Sequence, residues 1–404
     1  MRRIPIFIFL FSILLFVLSC NGQTAQVAVE SPETKVGMPI IVGAENTEAY
    51  FTLLQGKKIG MVVNQTSRIG SQSLVDTLIS AGMDVVRIFS PEHGFRGEAD
   101  AGAQVENGKD IQTGLPIVSL YGKNKKPTSE QFAGLDLIVF DIQDVGARFY
   151  TYISTMHYVM QTCAEIGIPL MILDRPNPNG NFVDGPIMEE EHMSFVGMHP
   201  IPIVHGMTVG EYAKMINGEG WLGKGLQCAL TIVKCENYTH QKSYTLPVKP
   251  SPNLPNNLSI YLYPSICLFE GTAVSVGRGT DKQFQVLGYP DSGIGAFTFV
   301  PEPKSGATNP KYIGEECRGY DLSDSNAEKE RKGNEISLQY LIDFYSDAKD
   351  KSTFFISYFT SLAGTENLQQ QIEQGMSEQQ IKATWEDGLI QFRKMRGKYL
   401  IYKE

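Results

Sequence analysis

The sequence lacks an apolar run long enough to cross a bilayer. Its longest, Ile4 to Leu18, is broken by Pro5 and Ser12 and falls short of the roughly 20 apolar residues a membrane helix needs. There is no G-x-G-x-x-G after the first strand-like segment, which removes the dinucleotide fingerprint and the expectation of a nicotinamide or flavin. C-x-x-C and H-E-x-x-H spacings are absent too. Six cysteines and six histidines scattered over 404 residues therefore indicate neither a zinc site nor a dense disulfide framework, and no metal is expected. A G-x-S-x-G elbow is missing, and Ser90 is followed by proline rather than by a helix start, which disfavours a serine esterase or amidase. Basic clusters stop at Lys123 to Lys126, and the net charge is -9, so nucleic acid would be repelled.

What is present begins with an address. Arg2 and Arg3 precede the apolar run, the pattern of a secretory leader, and the run ends in Val17-Leu18-Ser19-Cys20, which resembles a bacterial lipobox with Cys20 as the lipidated residue. Residues 1–20 thus read as a signal peptide. Residues 21–42 are polar and without periodicity, so they read as a flexible tether. The expected location is outside the cytoplasm, periplasmic, with membrane contact only through the lipid. Hydrophobic content of 42% is ample for two sizeable domains. Five cysteines follow Cys20, an odd number; export is compatible with one disulfide, but spacing does not name its partners. Glu189-Glu190-Glu191-His192 has ligand-type residues and reads as a solvated acidic turn.

Residues 43–220 alternate strand and helix. Lys57 to Asn64, Asp84 to Phe89, Leu115 to Tyr121, Leu135 to Asp141, Ile168 to Leu173 and Ile201 to Val204 are short apolar runs of the kind buried on both faces of a parallel sheet. Helical spacing appears at Ser73 to Ala81 and Tyr150 to Ile166, and capping boxes open helices at Thr128 and Thr208. The fold class is α/β: a Rossmann-like parallel sheet domain with a second, smaller α+β domain. Ligands of such sheets bind beyond the carboxyl ends of the strands. Four runs end in chemistry-bearing residues there: Glu92 and His93; Asp141, Asp144, Arg148 and Tyr150; Asp174, Arg175 and Asn177; and His205.

The glycine-rich Gly218 to Gly225 marks the expected boundary, with residues 221–404 as the second domain. A helix is expected over Ser337 to Asp347 and a last amphipathic one after Ser377, whereas charged Asp321 to Gly333 reads as a surface loop. Two stretches look less like scaffold. Val248 to Pro255 has three prolines that would present Ser251 and Asn253 rigidly, and Phe269 to Gly288 sets Glu270, Arg278 and Thr280 among glycines.

GKKIGMVVNQTS, FSPEHGFRGEADAG, LDLIVFDIQDVGARFYTYISTM, ILDRPNPNG, PIVHGMTVGEYA, SPNLPN, YPSICLFEGTAVSVGRGTDKQFQVLG and RKMRGKYLIY together resemble the exo-β-N-acetylmuramidase family, exported bacterial glycosidases long known only as a domain of unknown function. The likeness runs from about Gly43 to Tyr402. It implies a cleft between a Rossmann-like domain and a smaller one, and release of N-acetylmuramic acid from the non-reducing ends of peptidoglycan fragments. It also implies that Glu92, in the SPEHG motif, is the central catalytic residue.

Glycoside hydrolysis needs an acid for the leaving oxygen and a second group for the oxocarbenium-like centre. Glu92 suits the first role, with His93 beside it. Asp141, Asp144, Asp174, Glu270 or the substrate's own acetamido oxygen could fill the second. The lactyl carboxylate of the sugar calls for an arginine: Arg278, flanked by Gly277, Gly279 and Thr280, is the first choice, Arg148 and Arg175 the alternatives. Tyr150, Asp174, Asn177, His205, Ser251 and Asn253 complete the expected sugar contacts. A non-catalytic lipoprotein binding wall fragments, or another exported hydrolase, are the rival readings.

Overall fold

Six parallel strands and one antiparallel edge strand form the central sheet of the computed structural model, which describes residues 38–95 and 108–404. The strands are β1 (Lys58–Val63), β2 (Asp84–Ser90), β3 (Gly108–Lys109), β4 (Pro116–Ser119), β5 (Leu137–Asp141), β6 (Leu170–Leu173) and β7 (Leu230–Val233), in the order β3-β4-β2-β1-β5-β6-β7. Only β3 runs against its neighbour. The order turns around β1: β2 and β4 lie on one side, β5 to β7 on the other. This is the doubly wound layout, with its switch point between β1 and β5. Their register sets Val63 opposite Asp141, and that of β1 and β2 sets Val62 opposite Phe89, so the carboxyl ends line up.

The apolar runs are continuous because both sheet faces are covered. Ile59, Met61 and Val63 point to one face, where they pack with Leu74, Val75 and Leu78 of helix α1 (Leu74–Ser80). Val62, Phe89, Ile138 and Phe140 point to the other, against α3 (Tyr152–Ile166) and α4 (Val209–Gly218). The short α2 (Ser129–Phe132) opens with the Thr128 capping box and α4 with the Thr208 one, as their sequences indicate.

Several expectations are corrected. Ile201 to Val204 is not a sheet strand; Val204 makes only isolated bridges, to Ala147 and Asp184. The glycine-rich 218–225 stretch is a turn inside the sheet domain, since β7 beyond it pairs with β6. The tether ends sooner than residue 42, because Ile41 exchanges both backbone hydrogen bonds with Glu236. The leader, Cys20 and most of the tether lie outside the described residues. The five described cysteines are buried free thiols.

The rest of the chain adds α5 (Asn257–Ile266) and a three-stranded antiparallel sheet of β8 (Val286–Tyr289), β9 (Phe297–Phe299) and β10 (Cys317–Asp321), with β10 central. Six helices follow: α6 (Ala327–Gly333), α7 (Gln339–Asp347), α8 (Tyr358–Ala363), α9 (Asn367–Glu373), α10 (Glu378–Ala383) and α11 (Glu386–Arg396). α6 replaces part of the expected surface loop; Asn326 caps it, accepting from Lys329 N. The last amphipathic helix is two, α10 and α11, broken at Thr384 and Trp385. One hydrophobic cluster, from Val62 to Phe392, spans both parts.

Two polar devices fasten them. Pro264 within α5 has no N–H for Ile260 O, and Asn179 Nδ2 donates to that oxygen instead, at 3.1 Å. Arg148, wholly buried, donates to four carbonyls: Pro186 and Ile201 through Nη1, Leu362 and Ala363 through Nη2, at 2.6–2.9 Å. Arg148→Met would fill the space and take the guanidinium away from the Pro186, Leu362 and Ala363 oxygens, while Ile201 O keeps Met188 N. Chemical denaturation should show a loss of at least ~3 kcal/mol; a loss below 1 kcal/mol would show the clamp to be dispensable.

Candidate active site

A cavity of about 610 Å³ opens where the carboxyl ends of β2 and β4, the segment between β5 and α3, and the C-terminal part converge. Its size falls within the roughly 300–1,000 Å³ usual for small-ligand sites. Glu92 and His93 enter it from the turn after β2. Gly94 N donates to Pro91 O, and both His93 (φ 68°) and Gly94 (φ 78°) are left-handed, a conformation that costs energy for histidine. His93 Nε2 and Ser251 Oγ hydrogen-bond at 3.2 Å, which helps to hold that turn. Thr151 Oγ1, on the residue that starts α3, donates to Glu92 Oε2 at 2.9 Å. Tyr121, two residues past β4, lines the same cavity beside Glu92. Burial and the neighbouring carboxylate push its phenol above the ordinary range, so it stays a protonated donor.

The opposite wall comes from the C-terminal part. Arg278 holds Glu270 in a two-point pair, Nε to Oε1 at 2.6 Å and Nη2 to Oε2 at 2.9 Å, and lies 5.0 Å from the centre of the Phe284 ring. Its Nη1 has no hydrogen-bond partner among the described residues. Neither has Asn253 Oδ1, whose amide nitrogen donates to Gly306 O at 2.7 Å. Phe149, Tyr150, Tyr152, Tyr263 and Tyr358 add aromatic surface, and Gly306–Pro310 closes one side.

Of the residues expected from the sequence, Glu92, His93, Tyr150, Ser251, Asn253, Glu270 and Arg278 line the cavity. The others do not. Asp141 and Arg175 are buried against each other, at 2.5 and 2.8 Å, where burial raises the Asp141 carboxyl against the pull of Arg175. Asp174 accepts from Thr208, Tyr402, Gly210 N and Arg175 N, and burial brings it up to about 6. Burial brings Asp144 up to about 7; it accepts from Gly146 N. Gly146 is left-handed (φ 77°), and a Cβ there would overlap the Asn177 amide, which donates to Met207 O. His205 accepts from Met207 N and is pushed down to about 3 by burial. Arg148 is the carbonyl clamp, lowered to about 9 by burial. Thr280 donates to Gly277 O and shapes its turn. All eight make hydrogen bonds or ion pairs inside the scaffold, though Asp144 Oδ1, Arg148 Nε and His205 Nε2 are buried without a partner among the described residues.

Sequence reasoning missed Tyr121 and Thr151. Both lie at the ends of segments it did identify, Tyr121 closing Leu115 to Tyr121 and Thr151 near the start of Tyr150 to Ile166, and an aromatic or hydroxyl residue at a segment end was the available signal. Among the described residues, Glu189, Glu191 and His192 are a set whose possible metal-ligating atoms lie within 4.8 Å of one another; none lines the cavity.

Comparison with known proteins was made against this geometry. The models of exo-β-N-acetylmuramidase NamZ match residues 59–258 (N-terminal) and 261–402 (C-terminal), so they meet beyond β7. The peptidoglycan β-N-acetylmuramidase NamZ of Bacillus subtilis (strain 168) is 37% identical over 430 residues, covering 99% of this chain and 100% of the relative. Two crystal structures of DUF1343 family proteins from Bacteroides fragilis NCTC 9343 have the same fold. One has a TM-score of 0.85 at 46% identity, covering 91% of this chain and 99% of that one; the other has 0.74 at 28%, covering 90% and 99%. With both models matched in order and the Bacillus relative aligned end to end, the chain belongs to the exo-β-N-acetylmuramidase NamZ family.

Proposed function

We propose that this glycosidase releases N-acetylmuramic acid from the non-reducing ends of peptidoglycan fragments, with Glu92 as the proton donor to the leaving oxygen. One observation carries the assignment: of the two carboxylates among the described residues that line the cavity, Glu270 has both oxygens on Arg278, while Glu92 stands at the carboxyl end of β2 and accepts from the Thr151 hydroxyl. A carboxylate with both oxygens on a guanidinium is a poor proton carrier, so the role of acid falls to Glu92.

Aromatic rings give the pyranose apolar surface to lie on. The acetamido N–H of the sugar meets Asn253 Oδ1, and its lactyl carboxylate meets Arg278 Nη1, two of the three polar atoms of lining residues without partners among the described residues, the third being Tyr150 Oη. With Glu270 occupied, the acetamido oxygen of the substrate is the group nearest to hand for the anomeric carbon, as in substrate-assisted glycosidases. The same reading keeps the protein periplasmic on a lipid at Cys20; its support is the basic-flanked leader and the Leu-Ser-Cys that ends it.

Glu92→Gln keeps shape and hydrogen bonds and removes the transferable proton, so kcat on a muramyl disaccharide should fall at least ~10²-fold with an unchanged circular dichroism spectrum. Near-normal turnover by the folded variant would remove Glu92 from the chemistry. Arg278→Met takes away the cation and exposes Glu270 to the lactyl group. Its kcat/KM for a muramide should drop ~10³-fold, and far less for the matching N-acetylglucosaminide. An unchanged ratio between the two sugars would mean that another group reads the lactyl carboxylate.

A further inference from the structure

An aromatic ledge leads out of the cavity from the point where the bond is broken. Tyr121 lines the cavity beside Glu92, which as the acid must touch the glycosidic oxygen. Any surface continuous with Tyr121 therefore begins at the boundary between the terminal sugar and the rest of the glycan. The Tyr121 ring lies 6.2 Å from that of Phe195, and Phe195 lies 6.2 Å from Tyr158 with the two planes only 9° apart. All three rings are partly exposed. Phe195 sits at the tip of a two-residue turn closed by both backbone hydrogen bonds between Ser194 and Gly197, and the other tip residue, Val196, lines the cavity. Lys125 Nζ stands 4.3 Å from the centre of the Phe195 ring, on a loop tied back by Asn124 Nδ2 to Ser119 O.

We propose that Tyr121, Phe195 and Tyr158 form the subsite for the leaving part of the glycan, an inference that rests on the muramidase reading. The first amino sugar beyond the cleaved bond stacks on Tyr121 and Phe195. The next lies toward Tyr158, where Lys125 faces its lactyl carboxylate or the peptide carboxylates it carries. Three observations favour this occupant: continuity with the cavity at two residues, apolar ring faces suited to pyranose stacking, and a cation where an anionic glycan would run. The protein then prefers glycan chains to simple glycosides.

The test compares the methyl β-glycoside of N-acetylmuramic acid with the MurNAc-GlcNAc disaccharide and its tetrasaccharide. Phe195→Ala should lower kcat/KM for the disaccharide ~5- to 10-fold more than for the methyl glycoside. Lys125→Gln should act on the tetrasaccharide alone among the three, by ~3-fold, and less so at high salt. Should Phe195→Ala fold poorly, Phe195→Leu keeps the apolar tip without the ring. Equal losses on all substrates, or none, would overturn the subsite. A wild-type protein that cleaves none of them would instead defeat the muramidase reading. Calorimetric titration with the disaccharide would then still decide the ledge, through a ~5-fold weaker Kd for the variant or an unchanged one that refutes it.

Discussion

A charge taken out of water needs a partner, and that requirement sorts the carboxyl edge of the seven-stranded sheet into scaffold and site. Asp141 takes Arg175; Asp174 takes two hydroxyls and two backbone N–H groups; Arg148 takes four carbonyls. Each is engaged within the scaffold, with only Arg148 Nε left without a partner among the described residues. Glu92 stands on the same edge but lines the cavity, where Thr151 donates to it. What separates it from those neighbours is that opening, since they share a position relative to the sheet.

The C-terminal part makes the cavity a pocket. It is fastened by buried hydrogen bonds that cross between the parts, Arg148 to Leu362 and Ala363 and Asn179 to Ile260, and by a shared hydrophobic cluster. Because those contacts are dry and directional, Arg278, Glu270 and Asn253 stand in defined positions opposite Glu92. In the proposed reading, the Glu270–Arg278 pair is how an acidic protein admits an anionic sugar: the guanidinium neutralises Glu270 and keeps Nη1 for the lactyl group.

Much of the fold was legible in the sequence, for physical reasons. Strands covered on both faces are written as unbroken apolar runs, so β1, β2, β5 and β6 were found within one or two residues. Capping boxes at Thr128 and Thr208 appear where read, because the reciprocal bonds involve residues only three apart. Long-range pairing was not legible. Asp174 meets Tyr402 across 228 positions and Arg148 meets Ala363 across 215, and no local pattern records either. Strand-end polar residues therefore looked alike, and Arg148, Asp174, Arg175, Asn177 and His205, five of the expected sugar contacts, lie in the scaffold away from the cavity, as does Thr280. The two-residue strand β3 left no period to read, and β7 lay past a glycine-rich turn that resembled a boundary.

The most direct test of the account is a crystal structure of the Glu92→Gln protein holding the intact MurNAc-GlcNAc disaccharide. The glycosidic oxygen should lie within about 2.6–3.2 Å of the residue 92 side chain. The muramyl ring should sit inside the cavity, with its acetamido N–H on Asn253 and its lactyl carboxylate on Arg278. A disaccharide bound elsewhere, or one whose glycosidic oxygen faces the Glu270–Arg278 wall instead of residue 92, would contradict it.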